Sequence, residues 1–309
     1  MLLQLRPSNE RMSKLCKSPL NVARHALALA KEHLPDYAHR FSPKVYTQPQ
    51  LFVCLVLKTF FAKDYRGLTA ILEDFDALKA YLGLRRVPHF TTLQKASRRL
   101  LRTERAKNLF RGTVRRFLGR KRHLSHAAMD STGLDLGRRS AYYVRRRQAG
   151  QTGKKRVLYS RYAKLEASFD CRSHLILAAF MGRGPRPDTD RFVPLLDATM
   201  QSVRPKNMLA DAGYDSEPNH EHARLKHNIR SFIPATIGRP STKPPTGRFR
   251  RQMKQRLNKH YGSYGQRWQA ETGFSMIKRC LADTVQGRTY WSQCRELWLL
   301  VITYNILLL

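Results

Sequence analysis

The chain has 309 residues, enough for one large domain or two modest ones with an ample apolar core. Hydrophobic residues make up 42% of it, which excludes a disordered polyelectrolyte. Lysine and arginine number 58 against 22 acids, a formal charge of +36, and a folded chain that positive repels itself unless a polyanion neutralises it.

Nucleic acid is the first partner this chemistry suggests, because every neutralised phosphate releases a condensed counterion. An anionic membrane surface and non-specific adhesion are the alternatives. Basic residues run through the whole chain instead of forming one amphipathic arm, which favours nucleic acid. The cysteines, Cys16, Cys54, Cys171, Cys280 and Cys294, are odd in number and widely spread, with no CxxC pair. That argues against a disulfide framework or a zinc site and suits a reducing cytosol. No signal peptide is expected, since Arg6 and Glu10 interrupt any early apolar run.

Residues 1–120 read as mostly helical. NVARHALALAKEHL (21–34) and QLFVCLVLKTFFAKDYRGLTAILEDF (50–75) repeat apolar residues at helical spacing. In VPHFTTLQKASRRLL (87–101) a threonine would cap a basic helix after Pro88. Lys95, Arg98, Arg99 and Arg102 on that helix would lie on DNA as in a helix-turn-helix, or simply face solvent.

Near residue 120 the texture changes. LSHAAMDSTGLDLG (124–137) reads as a strand, and AKLEASFD (163–170) with HLILAAFM (174–181) as a hairpin. NMLADAGYD (207–215) is a strand running into a glycine turn, followed by a helix from about Glu217 to His227 and a fifth strand in IRSFIPA (229–235). A proline- and glycine-rich basic loop, TIGRPSTKPPTGRFRRQMKQR (236–256), fits a linker or DNA-facing insertion. Helices close the chain. The last 13 residues, Leu297 to Leu309, are strongly apolar but too short to span a membrane, so a buried core helix is expected. Ending on three leucines also admits a truncated tail. Strands, a helix, more strands and C-terminal helices make a mixed α/β domain. Between the first strand and the hairpin lies RRSAYYVRRRQAGQTGKKR (138–156). There Arg145, Arg146 and Arg147 beside Tyr142 and Tyr143 suit a phosphate backbone with unstacked bases.

Acids are scarce, so their positions carry information. Asp130 closes AAMD and Asp211 closes MLAD; sites of open α/β sheets form at such strand ends. Two carboxylates there would hold a hard divalent cation, magnesium or manganese. A third comes from YGQRWQAETGFSMIKR (264–279). On one continuous helix Tyr264, Arg267, Glu271 and Lys278 fall on a single stripe, which would aim Glu271 at a metal and let Arg267 and Lys278 grip phosphates. The plainer reading is an Arg267–Glu271 charge pair at i,i+4. Asp188 in GPRPDTDRF is a weaker candidate, with helix capping by Asp188 or Asp190 as its alternative. Asp135 is set aside, because five residues beyond Asp130 a strand faces the other way. His123, His126, His220, His222 and His227 form no metal-ligand spacing with cysteines and read as DNA-facing or incidental. Trp268 reads as core packing ahead of support for a flipped base.

Tyr264-x2-Arg267-x3-Glu271-x6-Lys278 resembles the Tyr-Arg-Glu-Lys signature of DDE transposases from prokaryotic insertion sequences. AMDSTGL and LADAGYDS look like that family's two aspartate segments, in the family's order, across about residues 121–290. The resemblance implies a ribonuclease-H-like catalytic domain with a mixed central sheet at 121–309, with a basic insertion at about 236–258. A helical DNA-binding and assembly region at 1–120 would precede it. It implies Asp130, Asp211 and Glu271 as the triad, holding two Mg²⁺ ions with Mn²⁺ as a substitute. Water would cleave at the element's ends, and the freed 3′ hydroxyl would attack target DNA. Tyr264, Arg267 and Lys278 would hold the strand. The implied partners are double-stranded DNA, at terminal inverted repeats and target, and a second copy of the chain on that DNA, with no membrane. The implied location is the prokaryotic cytoplasm, at the nucleoid. A nuclease of the same fold that does not join DNA, and a catalytically silent DNA-binding protein, are the other readings. One departure stands: 60 residues separate Asp211 from Glu271, too few for the long β-rich insertion of larger family members, so processing of the cut ends stays open.

Overall fold

The computed structural model describes residues 15–137, 161–235, 244–257 and 261–309. The basic stretch 138–156, with Arg145, Arg146 and Arg147, therefore lies wholly outside the described residues, as do residues 236–243 and 258 of the basic insertion.

Six helices come first. Helix α1 (Pro19–His33) starts on Ser18, whose hydroxyl accepts from the Asn21 N–H, and buries Val22, Ala26 and Leu29. Helix α2 (Gln48–Phe60) carries a capping box between Thr47 and Gln50 and is buried nearly all round. The stretch 50–75, helical in its spacing, is divided between two helices. Ala62 takes a positive φ of 52°, and Asp64 accepts from Gly67 to start α3 (Tyr65–Asp74). Helix α4 (Asp76–Leu82) stops on Gly83 in the left-handed region, where a side chain would be strained. At α5 (Phe90–Leu100) the capping position is His89, not a threonine, and Arg99 is half-buried while Lys95, Arg98 and Arg102 are exposed. Helix α6 (Thr103–Leu118) completes the set.

The sheet follows. Strand β1 (His123–Leu136) pairs antiparallel with β2 (Tyr162–Asp170), which pairs antiparallel with β3 (Ile176–Gly184). Helix α7 (Phe192–Met200), which sequence periodicity did not reveal, leads to β4 (Arg204–Ala210), parallel to β1. The helix expected at 217–227 is a short α8 (Glu217–Glu221) that widens into a π-helical turn, His222–Lys226. Strand β5 (Arg230–Phe232) is parallel to β4 and shorter than expected. The order β3-β2-β1-β4-β5, with the first three strands antiparallel and the last two parallel to β1, is a ribonuclease-H-like mixed sheet.

Half of the expected basic loop is helix α9 (Arg248–Arg256). Glu217 accepts from the Phe249 and Arg250 N–H groups, and Arg250 pairs with the buried Asp215 at 2.8 Å. After α10 (Tyr261–Tyr264) and a 3₁₀ turn (Gly265–Arg267) comes α11 (Trp268–Cys280). A two-residue β6 (Thr284–Val285) then extends alongside the end of β1.

Helix α12 (Tyr290–Leu307) contains the apolar C-terminal run and is buried as expected. No helix among the described residues is long and apolar enough to cross a membrane. Asn305 explains how so apolar a helix is fixed in place. Its side chain accepts from Ile176 N–H, and donates to Ile176 C=O and to Thr113 Oγ1, bonding β3 and α6 at once. All five cysteines are free thiols; burial pushes Cys54 and Cys171 up to about 12. His220 is core, not DNA-facing: it is fully buried on Ser231 at 2.7 Å, and burial lowers it to about 4.

Helix α11 lies close on the sheet because Gly273 has no side chain. A Cβ there would sit 2.5 Å from the Phe169 ring, which is itself fixed edge-on against Phe274 at 4.9 Å between centroids. We expect Gly273→Ala to destabilise the protein by about 1–3 kcal/mol through overpacking, measured by urea unfolding. Unchanged stability would mean that the helix has room to spare at this point.

Candidate active site

The register of β1 against β4 assembles the first two acids. The last in-register pair is Met129 with Ala210, so Asp130 and Asp211 come next, side by side. Asp130 is not at a strand end: β1 runs on for six more residues, and the opening arises because its parallel neighbour β4 stops. Across the antiparallel ladder Asp130 faces Ala167, on the same side of β2 as Phe169, and that is the side covered by α11. Glu271 sits in the first turn of α11. Asp135 lies farther along β1, where its N–H donates to the Asp283 carbonyl at 3.1 Å.

Electrostatics ties the three acids together. Burial pushes Asp130 up to about 6, and the charges of Asp211 and Glu271 push the same way. The Ser131 N–H, 2.8 Å from Oδ1, and Arg267 oppose them. Asp211 is also raised, first by burial and then by Asp188 and Glu271, against the Gly213 N–H at 2.9 Å and Arg267. Arg267 donates to Glu271 Oε1 at 2.6 Å, so the plainer charge pair is present; the same guanidinium also acts on Asp130 and Asp211. The three carboxylates are not drawn into a tight cage. The one trio of described acidic, histidine or cysteine residues with donor atoms all within 4.8 Å of one another lies elsewhere.

The expected single helical stripe is broken. Tyr264 ends α10, Arg267 belongs to the 3₁₀ turn, and only Glu271 and Lys278 share α11, in its first and last turns. The break still serves the arrangement: Tyr264 is half-buried beside Arg267, whose charge acts on its phenol. Lys278 is half-buried. Trp268 is 53% exposed, so the core-packing expectation fails there.

Asp188 joins the site by a route the sequence gave little sign of. A Cβ on Gly213 would meet both Asp211 Oδ1, at 3.1 Å, and Asp188 Oδ2, at 3.7 Å. The other oxygen of Asp188 is held by Lys164 at 2.5 Å, which also lies 3.3 Å from Glu166 and donates to the Arg186 carbonyl at 2.6 Å. Arg191 reaches Glu166 at 3.1 Å. Lys164 and Glu166 are almost wholly buried, at 3% and 2% exposure, and burial raises Glu166. Tyr214 lies beneath this network, fully buried. Burial first, then the charges of Asp188, Asp130, Glu166 and Asp211, raise its phenol. The alternation in AKLEASFD marks a strand with one polar face; nothing local shows that α7 covers that face.

The profile of the family described as Transposase DDE domain matches residues 121–306. The chain belongs to the DDE transposase family. It is therefore a DNA transposase, a polynucleotidyl transferase or nuclease by class. No curated protein sequence matches it. Among solved structures it is similar to the Mos1 strand transfer complex, at 14% identity and TM-score 0.26 over 84% of this chain and 71% of that one. A pre-cleavage Mos1 transpososome matches at 12% identity and TM-score 0.21 over 85% and 82%. The Mos1 mariner paired-end complex with Mn matches at 12% and 0.22 over 79% and 80%.

Two outcomes follow for this transposase. Lys164→Met leaves the buried Glu166 with Arg191 alone and the half-buried Asp188 without its cation, and should cost roughly 3–5 kcal/mol in denaturant unfolding; a loss below 1 kcal/mol would mean that water reaches the network. Asp130→Asn should stabilise the metal-free protein. A carboxyl raised in the folded state from 3.8 to about 6 opposes folding fully above pH 6, and this opposition fades as pH falls toward 4. The gain at pH 7–8 is at most roughly 3 kcal/mol. A melting-temperature difference that does not narrow with acid would contradict this sign.

Proposed function

We propose that Asp130, Asp211 and Glu271 are the catalytic acids with which this transposase cuts DNA at the ends of its element and joins the freed 3′ hydroxyl to target DNA. One observation carries the reading: carboxylates from β1, from the end of β4 and from α11, far apart in the chain, act electrostatically on one another around a single arginine.

The donor set fits a divalent ion. It is all oxygen, and Asp130 and Asp211 are held above their ordinary range first by burial and then by neighbouring carboxylates, Asp211 and Glu271 for the one and Asp188 and Glu271 for the other, a crowding of negative charge that a cation relieves. Asp130, Asp211 and Glu271 would hold Mg²⁺, two ions by the family pattern, with Mn²⁺ able to substitute. When bound, such ions activate the attacking oxygen and stabilise the leaving one.

The chain's own residues supply the rest. The Ser131 and Gly213 N–H groups fix the Asp130 and Asp211 carboxylates. Arg267 is placed to trade its contact with Glu271 for a phosphate, where its planar fork can act as a bidentate donor. Lys278 and Tyr264 flank the same strand of DNA. Arg145, Arg146 and Arg147 belong to the segment between β1 and β2. Its flanking ladder pair, Leu134 with Ala163, stands four residues beyond Asp130, which suits contact with DNA entering the site. Double-stranded DNA, at inverted repeats and target, neutralises the +36 charge. A second copy of the chain would bring the second end, in a prokaryotic cytoplasm.

Purified protein, Mg²⁺ and labelled DNA bearing the element's ends test the proposal. Joined products are expected; cut but unjoined ends would make it a nuclease, and bound intact DNA a silent binder. Asp130→Ala, Asp211→Ala and Glu271→Ala should each abolish cutting while DNA still binds. Arg267→Ala should slow cutting by roughly a hundredfold. Any acid variant that still cuts leaves the triad.

A further inference from the structure

Asp197, His222 and His227 meet on the α7 side of the sheet, whereas Asp130 faces α11. We infer that they form a second metal site, which takes a zinc-class divalent ion and is separate from the acidic patch. The Nε2 atoms of His222 and His227 are 3.3 Å apart, and each lies 2.7 Å from Asp197 Oδ1. A tetrahedral ion with metal–nitrogen bonds of about 2.0–2.1 Å holds its nitrogens about 3.3–3.4 Å apart, which is the separation the two rings already have.

Local structure explains why the histidines converge. Residues five apart on an α-helix point about 140° away from each other. Here the turn from His222 to Lys226 is π-helical and His227 closes it, which brings both rings to one side. That is why the spacing looked incidental in the sequence. Asp197 comes from the middle of α7.

Bound metal would replace the two ring protons that otherwise lie between each nitrogen and Oδ1. The carboxylate must open by about 0.6 Å to reach a tetrahedral edge, an easy rotation for a side chain that is 39% exposed. Lys226 stands 3.9 Å from the other oxygen, Oδ2, and Arg204 donates to the His227 backbone carbonyl at 3.4 Å, so neither cation occupies Oδ1. Both imidazoles keep 16% exposure, so an ion can enter and water can take the fourth position. Two nitrogens and one oxygen select zinc-class ions over Mg²⁺, whose ligands are oxygens. The ion would tie α7, the cover of the Lys164 network, to the segment between Asp211 and β5.

The test uses the whole protein, stripped of metal and held in excess Mg²⁺ to saturate the acidic patch. Zn²⁺ should bind with one equivalent that Mg²⁺ does not displace and should raise the melting temperature. Co²⁺ in its place should give the strong visible absorption of a tetrahedral, nitrogen-ligated ion. His222→Gln and His227→Gln should abolish the band and the thermal shift. Asp197→Asn, which keeps the size of the side chain, should do the same and covers the case in which a histidine variant folds poorly. Absence of the band in the parent protein, or its survival in folded variants, overturns the site.

Discussion

Pairing Met129 with Ala210 in a parallel ladder sets two acids of the site next to each other, and a slip of one residue would turn one of them to the opposite face of the sheet. That register is protected because both faces are covered, α11 on one and α7 on the other, so a slip would drive apolar side chains against polar ones. The third acid arrives by a different constraint. Gly273 lets α11 lie against Phe169, and two residues earlier on the same helix stands Glu271.

The molecule separates its charges sharply. Its surplus of lysine and arginine is left for a polyanion, yet Asp130, Asp188, Asp211 and Glu271 gather around one opening. Asp188 stands where two groups meet: one oxygen on the buried Lys164, the other toward Asp211. Lys164 and Glu166 on β2 are tolerated in the interior because each is paired and bonded; alone, either would be expelled or neutralised. This network stiffens the floor on which Asp211 stands. Asn219 adds to it by donating to the carbonyls of Thr189 and Tyr214, linking the two turns that carry Asp188 and Asp211.

The N-terminal helices and the catalytic sheet share one helix. Residues of α12 are buried from both sides, and Asn305 bonds β3 and α6 in the middle of an otherwise apolar segment. The Cys16 N–H reaches the Leu307 carbonyl at 2.7 Å, which closes the N-terminal side onto the end of the chain. Movement of the helical region would therefore pass directly to the sheet.

The sequence alone determined much of this. Short apolar runs located the strands carrying Asp130 and Asp211, helical spacing located the N-terminal helices, a longer apolar run located the C-terminal helix, and the Tyr264 to Lys278 motif singled out Glu271. These are local patterns, written within one element each. Tertiary structure decided the rest. It broke the expected stripe at the turn before Trp268, buried the polar face of AKLEASFD beneath α7, carried Asp188 to Asp211, and brought His222 and His227 together on Asp197 through a π-helical turn. The physical reason is common to all four. Which side chains meet across elements depends on register, on a helix covering a face, and on hydrogen bonds between segments distant in the chain, and none of these leaves a periodicity in the sequence.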